Sequence, residues 1–158
     1  MLNTTLIYIE KDGKYLMLHR VKKKHDINHD KWIGVGGKCE ENESPEECAV
    51  REAYEETGLT LLYPQYRGVV TFVCDGVEGE YMHLFTCTEF SGTLRECQEG
   101  DLQWIDKNIV PTLPTWEGDR IFLEKIAQPS PFFSLKLVYQ GNRLVSKDCH
   151  TYGAAMDS

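Results

Sequence analysis

The stretch GGKCEENESPEECAVREAYEETGL, residues 36–59, contains eight glutamates within 24 residues. Like charges one helical turn apart destabilise a helix. A run this acidic is therefore either the solvated face of a helix or a site that holds cations. The choice depends on how the glutamates are arranged around the helix and on what surrounds them.

The second half of this stretch carries start and stop signals for a helix. Ser44 is a candidate N-cap, Pro45 stands at the first helical position, and Glu47 completes a capping box. Gly58 stands just past the expected end, where a glycine commonly terminates a helix. The sequence therefore predicts a helix over residues 45–57, about 20 Å long at 1.5 Å per residue.

Three glutamates of this predicted helix fall on one face. Glu52 lies three and four residues before Glu55 and Glu56, so the three carboxylates can converge. Arg51 lies four residues before Glu55 and can pair with it. Mg²⁺ prefers carboxylate oxygens and commonly bridges them to phosphates, so a divalent cation would remove the repulsion.

The residues before the helix are compatible with the same chemistry. Gly36 and Gly37 allow close approach of the backbone, and Lys38 adds a positive charge suited to phosphate. A solvated acidic face, paired with lysine and arginine, explains the same residues without any metal. Spacing alone leaves both interpretations open.

The rest of the chain predicts an α/β protein with one mixed sheet and two helices in a single domain, residues 1–158. The predicted order is ββ, β, α, ββ, β, α, ββ. The final residues, 151–158, are expected to form a loose tail. The predicted elements are a hairpin over 4–21 with a turn at Asp12-Gly13, strands over 31–38, 59–74, 79–90 and 102–106, a second helix over 115–127 and a last hairpin over 134–149.

Composition narrows the class of function. The chain has 158 residues, 41% of them hydrophobic, and a net charge of −8. That charge argues against a nucleic-acid polymer as partner, which would require a basic face. No apolar run is long enough to cross a bilayer, and the opening residues predict a strand rather than a signal segment. The expectation is a cytoplasmic monomer or homodimer.

Six cysteines, at positions 39, 48, 74, 87, 97 and 149, show no C-x-x-C spacing. A zinc site is therefore not expected. Without a secretory segment the thiols are expected to stay reduced, as small core residues or surface thiols.

The full pattern resembles the Nudix box, G-x5-E-x7-R-E-U-x-E-E-x-G-U, in which U is aliphatic. Ala53 and Leu59 stand at the two U positions, and Ala53 is the weaker match of the two. The box covers residues 37–59, and a looser likeness to MutT-like members extends over roughly residues 4–145. The seven identities are Gly37, Glu43, Arg51, Glu52, Glu55, Glu56 and Gly58.

The resemblance implies an α/β/α sandwich with a central mixed sheet and a catalytic loop-helix-loop. It assigns metal binding to Glu52, Glu55 and Glu56 together with the backbone of Gly37, with Mg²⁺ as cofactor and Mn²⁺ as a substitute. Arg51 would hold the glutamates in place, and Glu43 would brace the loop. Glu99 is a candidate further metal ligand or proton acceptor; the alternative is an ordinary surface glutamate.

The segment Trp116-Glu117-Gly118-Asp119 is similar to the purine-contacting loop of oxidised-purine members. Trp116 is a candidate to stack on the base, and Asp119 to hydrogen-bond its edge. The alternative for Trp116 is a half-buried aromatic at the start of a helix. Ile33 stands where such members have asparagine, and Gly118 where they have a second carboxylate. Base recognition is therefore expected to be partly different.

Smaller features have weaker functional interpretations. His19, Arg20 and the lysines at 22–24 are candidates to steer a triphosphate, although such loops are commonly just solvated. His83 is expected to be a strand histidine with a local partner.

The implied function is Mg²⁺-dependent hydrolysis of a nucleoside triphosphate to the monophosphate and pyrophosphate, with oxidised purine nucleotides such as 8-oxo-dGTP as substrates. One alternative is hydrolysis of another diphosphate derivative, such as ADP-ribose or a dinucleoside polyphosphate. Another is a non-catalytic module that senses a nucleotide, which the complete set of box glutamates disfavours.

Overall fold

The computed structural model describes residues 1–22 and 25–153. In this part of the chain there are ten strands, two α-helices and one short 3₁₀ helix at Val110–Thr112. The helices are α1 (Pro45–Thr57) and α2 (Asp119–Ile126). The strands are β1 (Leu2–Lys11), β2 (Lys14–His19), β3 (Trp32–Ile33), β4 (Leu59–Leu62), β5 (Gln65–Cys74), β6 (Glu80–Cys87), β7 (Glu89–Gly92), β8 (Asp101–Asp106), β9 (Phe133–Gln140) and β10 (Arg143–Thr151).

Eight of the strands form one mixed sheet. Its order is β10-β9-β5-β6-β1-β2-β3, and β8 also pairs with β2. Strand β1 runs parallel to β6, and β5 runs parallel to β9; the other pairs in this sheet are antiparallel. The remaining strands, β4 and β7, form a separate antiparallel pair. The mixed sheet with two helices is therefore confirmed.

Strand β1 contributes to two separate cores because successive side chains point to opposite faces of a sheet. Ile7 and Ile9 pack into the core that contains Ala53 of α1. Leu6 and Tyr8 pack into the opposite core, which α2 covers. All four side chains are buried. The sheet thus lies between the two helices, as the sandwich predicts.

The turn between β1 and β2 consists of Asp12 and Gly13. Their φ angles are 52° and 76°, the positive values that a type I′ hairpin turn requires. The strands pair Glu10 with Tyr15 and Lys11 with Lys14, so only these two residues form the loop. The predicted first hairpin is confirmed.

Several predicted strands were too long. The segment 59–74 is two strands, β4 and β5, because Tyr63 adopts a φ of 54° immediately before Pro64. The segment 79–90 is likewise divided into β6 and β7. In the approach to the glycines only Trp32–Ile33 is a regular strand, followed by isolated bridges at Val35 and Lys38.

Helix α1 has the predicted bounds and the predicted capping. Ser44 Oγ accepts a hydrogen bond from the Glu47 backbone, Glu47 accepts one in return from the Ser44 backbone, and Gly58 ends the helix at a φ of 82°. Helix α2 is shorter than predicted. It begins at Asp119 because residues before it form a turn, in which the Asp119 N–H bonds to the Trp116 carbonyl.

At the C-terminal end, the predicted loose tail was wrong at its first residue. Thr151 is the last residue of β10, and the Tyr152 N–H bonds to the Phe132 carbonyl. The rest of that predicted tail beyond residue 153 lies outside the described residues.

All six cysteines are free thiols, as expected, and four of them are buried. In the part of the chain that the structure describes, no helix is both long and apolar enough to span a bilayer.

Candidate active site

Arg51, on α1, connects the carboxylates of the box. Its Nε and Nη2 donate to Glu43 at 2.7 and 2.8 Å. Its Nη1 donates to Glu52 at 2.8 Å and to Glu55 at 3.0 Å, and Nη2 also donates to the Lys38 carbonyl at 3.0 Å. One guanidinium thus joins three glutamates on the helix and its preceding loop.

These contacts set the charge states of the cluster. The Arg51 guanidinium lowers the pKa of Glu43 from 4.5 to about 2. The hydrogen bonds that Arg51 donates to Glu43, and then the one it donates to Glu52, raise the pKa of Arg51. For Glu52, burial raises the pKa, although Arg51 opposes the rise. Glu43 is therefore held as an anion, in agreement with a bracing role.

Glu56 is the most buried carboxylate of the helix, with 8% of its surface exposed. Its Oε1 accepts a hydrogen bond from the Gly36 N–H at 2.6 Å. Burial, followed by a hydrogen bond with Glu99, raises its pKa to about 9. As long as no cation is bound, the Glu56 carboxyl therefore holds a proton to higher pH than a solvated glutamate does.

Glu99 belongs to the same site, although it is far from α1 in sequence. It lies in the segment between β7 and β8, beside Glu56, and accepts a hydrogen bond from Arg20 Nη1 at 3.0 Å. Arg20 also donates to Asp26 at 2.6 Å. The geometry therefore matches the site interpretation of Glu99 better than the surface one.

Close packing requires a glycine at position 36, against the backbone of β1, and Gly37 leaves space for the Glu52 carboxylate. A Cβ at Gly37 would lie 2.4 Å from Glu52 Oε2, and one at Gly36 would lie 2.0 Å from the Thr5 carbonyl. The Gly37 carbonyl itself accepts a hydrogen bond from the Thr5 N–H at 2.8 Å. Close backbone approach, as predicted, brings both glycines against the carboxylates and β1.

The donor set suits a hard divalent cation because Glu52, Glu56 and Glu99 supply only oxygen atoms. The space beside Glu52 also exists only because Gly37 lacks a side chain. Among the described residues, however, no three acidic, histidine or cysteine side chains are already arranged around one point. Arg51 and the Gly36 N–H hold the carboxylates instead, so these groups would turn towards a cation on binding.

A cavity of about 330 Å³ extends from these carboxylates to the start of α2. Gly36, Gly37, Lys38, Glu52 and Glu99 line one end. The other end is lined by residues of several separate segments, namely Asn28, Ile33, Phe72, Trp116 and Asp119. The candidate phosphate-binding and base-binding residues thus share one space.

Trp116 is more buried than the alternative interpretation expected, with 5% of its surface exposed. Its Nε1 donates to Asn28 Oδ1 at 2.7 Å. The ring meets Phe72 edge to face at a centroid distance of 5.0 Å, and Lys31 Nζ lies 4.5 Å from the ring centroid. Trp116 is therefore part of the wall of the cavity and is held there by both polar and aromatic contacts.

Asp119 is buried at the first position of α2, with 6% of its surface exposed. Thr115 Oγ1 donates to its Oδ2 at 2.8 Å. Burial raises the pKa of Asp119 from 3.8 to about 7. The side chain can therefore both donate and accept hydrogen bonds near neutral pH.

The two departures from the oxidised-purine pattern have different positions. Ile33 lines the cavity, so an apolar group stands where a base-pairing amide was expected. Gly118 packs against Leu137 and Tyr139, where a Cβ would meet the Tyr139 hydroxyl at 2.7 Å. The Gly118 N–H also donates to that hydroxyl at 2.9 Å. There is consequently no room for a second carboxylate at this position.

The residues predicted to steer a triphosphate do not all lie at the cavity. Arg20 lines the cavity, whereas His19 stacks on Trp32 and pairs with Asp30. Lys22 donates to the Cys97 carbonyl at 2.7 Å. The lysines at 23 and 24 lie outside the described residues.

His83 lies on β6 and contacts Tyr66 and Asn3, the local partners that were expected. Sequence reasoning missed Glu80, which also lines the cavity. The available signal was its position on β6, two and four residues before Met82 and Leu84 and thus on their face.

Comparison with known proteins agrees with this geometry. The NUDIX domain matches residues 2–126. The chain therefore belongs to the Nudix family, and the MutT-like fold and the complete box make it a pyrophosphohydrolase.

Individual relatives span most of the chain. An uncharacterized Nudix hydrolase, YvcI, of Bacillus subtilis (strain 168) is 34% identical over 121 residues, 73% of each chain. The oxidized purine nucleoside triphosphate hydrolase of Danio rerio is 30% identical over 143 residues, 89% of this chain and 88% of its own. The crystal structure of the mutator MutT protein from Bacillus halodurans superposes with a TM-score of 0.83 at 26% identity, covering 94% of this chain and 97% of that one.

Proposed function

We propose that this enzyme cleaves a nucleoside triphosphate to the monophosphate and pyrophosphate, with Mg²⁺ as cofactor and Mn²⁺ as a substitute. The observation that carries the proposal is the cavity whose wall includes Glu52 of α1 and Glu99 together with Trp116 and Asp119. Purine nucleotides, including oxidised ones such as 8-oxo-dGTP, are the proposed substrate class. The name of the Danio rerio relative supports that class.

The proposed metal-binding groups are Glu52, Glu55, Glu56 and Glu99, with the backbone of Gly37 beside them. A divalent cation bound there would neutralise phosphate charge and lower the pKa of a water molecule. Glu55 is the most exposed of these carboxylates and remains tied to Arg51. Arg51 keeps the helix carboxylates in place from the side opposite the substrate.

The chain's own groups supply positioning and proton transfer. Lys38 and Arg20 line the cavity with positive charge and are proposed to bind the phosphates. Glu99, beside Glu56, is proposed as a further metal ligand or as the acceptor of the water's proton. Because phosphoryl transfer requires mostly positioning and charge neutralisation, this arrangement suffices for the reaction.

At the other end, Trp116 and Asp119 are proposed to hold the base. The Asp119 carboxyl lies inside the cavity wall, where it can hydrogen-bond a base edge. The Trp116 ring is fixed by Asn28 and Phe72, so it can contact the base without losing side-chain entropy on binding.

A substrate panel with Mg²⁺ tests the proposal. The panel contains dGTP, 8-oxo-dGTP, dATP, ADP-ribose and a dinucleoside polyphosphate, and both pyrophosphate and orthophosphate are measured. We expect pyrophosphate and a monophosphate from the triphosphates. Release of orthophosphate alone would contradict the proposed cleavage, and turnover of ADP-ribose alone would assign the enzyme to another branch of the family.

A further inference from the structure

Glu80 is a carboxyl group in the cavity that the proposed reaction does not use. It is the first residue of β6, and its register partner on β5 is Phe72. Phe72 in turn packs against Trp116 with ring centroids 5.0 Å apart. Glu80 therefore lines the cavity on the side of the proposed base site, opposite α1.

The face of the sheet that carries Glu80 is otherwise apolar. Side chains two residues apart on a strand share a face, so Glu80 lies with Met82 and Leu84. Leu84 is fully buried in the core beneath α2, and Met82 packs against the same core. Glu80 is the member of this row that reaches the cavity with a charged group.

No described cation lies within ion-pair distance of Glu80. Arg20, an arginine that lines the cavity, is committed to Asp26 and Glu99. Burial raises the pKa of Glu80, and the Thr4 hydroxyl opposes that rise. Thr4 Oγ1 itself is buried without a hydrogen-bond partner of good geometry in the described residues. A carboxyl and a hydroxyl thus stand in the cavity wall with unused hydrogen-bonding capacity.

Unused polar groups of this kind cost stability, and a ligand that donates hydrogen bonds to them recovers that cost. A carboxylate only accepts hydrogen bonds. Bases with an exocyclic amino group present N–H donors, and guanine presents the ring N–H and the amino group side by side. An edge that shows only keto oxygens would face the carboxylate with a second acceptor.

We propose that Glu80, together with the Thr4 hydroxyl, selects nucleotides whose base presents an exocyclic amino group over bases that lack it. The inference rests on the proposed function, because it takes this end of the cavity as the base site. It also accounts for a difference from the oxidised-purine pattern, in which the second carboxylate would stand at Gly118. Here the second carboxyl comes from the sheet, across the cavity from Asp119.

Two comparisons between nucleotides with and without the amino group test this selection. Guanine differs from hypoxanthine by one amino group alone, whereas cytosine differs from uracil by an amino group in place of a keto oxygen and by an N3 that accepts instead of donating a hydrogen bond. We would measure Kd for GMP, IMP, CMP and UMP, and kcat/KM for the corresponding triphosphates, in the wild type. The amino member of each pair is expected to be favoured at least about tenfold, the loss expected for one hydrogen bond to a charged group.

The variants are Glu80→Met, which removes the acceptor at similar volume, and Glu80→Gln, which removes the charge. Glu80→Met is expected to bring the amino preference close to 1, whereas Glu80→Gln keeps one acceptor oxygen and is expected to reduce the preference. Glu80→Met is also expected to raise Tm because a half-buried carboxyl without an ion pair is gone. The control is Glu78→Gln, an exposed neighbour whose side chain is 61% accessible and which should leave the ratios unchanged.

An unchanged GMP/IMP preference in both Glu80 variants would overturn the inference, as would a wild type without any amino preference. Failure of the proposed function is a separate result. If the triphosphates release no pyrophosphate but the Kd ratios still depend on Glu80, the base-selecting role is supported and the proposed reaction is wrong.

Discussion

One buried carboxyl, Glu56, lies behind the cavity wall and contacts the lining residues Gly36 and Glu99, and another, Asp119, lines the other end; the two have different neighbours. Glu56, at the α1 end, has a pKa of about 9 and lies beside other carboxyls, a backbone N–H and the Arg51 cluster. Asp119, at the other end, has a pKa of about 7 and accepts a hydrogen bond from the Thr115 hydroxyl. Burial raises the pKa of both, so burial alone does not indicate what each does.

The two carboxyl groups differ in the kind of ligand that would stabilise them. Around Glu56 several oxygens crowd together, so a cation is the ligand that stabilises them all at once. Around Asp119 the walls are aromatic and apolar, so a neutral group with hydrogen-bonding edges is the better match. Charge density separates the proposed metal and phosphate end from the proposed base end.

The largest expected effect is at the α1 end. Glu56→Gln keeps the side-chain shape and the bond to Gly36 but removes the charge. We expect kcat to fall by about 10²- to 10⁴-fold, with nucleotide KM little changed, because the variant loses a charged ligand of the proposed cation, whose charge stabilisation is worth several kcal/mol. Steady-state kinetics with the exposed-loop variant Glu41→Gln as control checks this; near wild-type turnover would show that α1 is not the metal site.

At the other end, Asp119 is expected to control the pH dependence of stability of the metal-free protein. Its pKa is raised in the folded state, so the folded protein keeps a proton that the unfolded chain releases. Stability is therefore greatest below pH 4 as far as this group is concerned and falls between about pH 4 and pH 7. The total effect is on the order of 4 kcal/mol.

Urea unfolding across this pH range measures that effect. Asp119→Asn should make the slope between pH 4 and pH 7 shallower and leave the part that Glu56 contributes, whereas the exposed Asp148→Asn should leave the slope unchanged. Parallel curves for the wild type and Asp119→Asn would mean that the carboxyl is ionised throughout, and the contrast between the two ends would disappear.

A smaller effect is expected from Arg51→Lys. Lysine keeps the positive charge but cannot reach Glu43, Glu52 and Glu55 at once with a planar fork. We expect the free energy of unfolding to fall by about 2 kcal/mol, the range for a hydrogen bond to a charged group. Chemical denaturation measures it, and an unchanged midpoint would show that the cluster contributes no stability.

The smallest expected effect is on the stability of the protein at acidic pH. Because the pKa of Glu43 is lowered from 4.5 to about 2, the stabilisation that it provides is complete above pH 4.5 and is lost as the pH falls towards 2. Glu43→Gln should therefore be less stable than the wild type at pH 6 and approach it near pH 2. Thermal unfolding at both pH values shows the convergence, and a constant difference would contradict the lowered pKa.

Much of the α1 end was predictable because it is local in sequence. The capping box, the glycine after the helix and the spacing of Glu52 to Glu56 all lie within one segment, and helical geometry then fixes their relation. The Asp12-Gly13 turn was predictable for the same reason. Local rules do not depend on how the rest of the chain packs.

The base end was less predictable because residues far apart in sequence form it. Glu80 reaches the cavity only because β6 pairs with β5 and places it next to Phe72. The burial of Trp116 depends on Asn28, which lies in a loop without periodicity. Pro64 predicted a bend or edge within 59–74, and the division into β4 and β5 falls there; the positive φ of the preceding Tyr63 was not predicted because tyrosine rarely adopts it.

The pairing of β1 has a consequence for how the box is placed. Both faces of β1 are apolar, so a shift by one residue would exchange Leu6 and Tyr8 for Ile7 and Ile9 without exposing hydrophobic surface. Burial pattern alone does not forbid that error. The two-residue turn at Asp12 and Gly13 does, because it permits one alignment of β1 with β2. Thr5, which contacts Gly37, lies seven residues before that turn on the strand whose alignment with β2 the turn fixes.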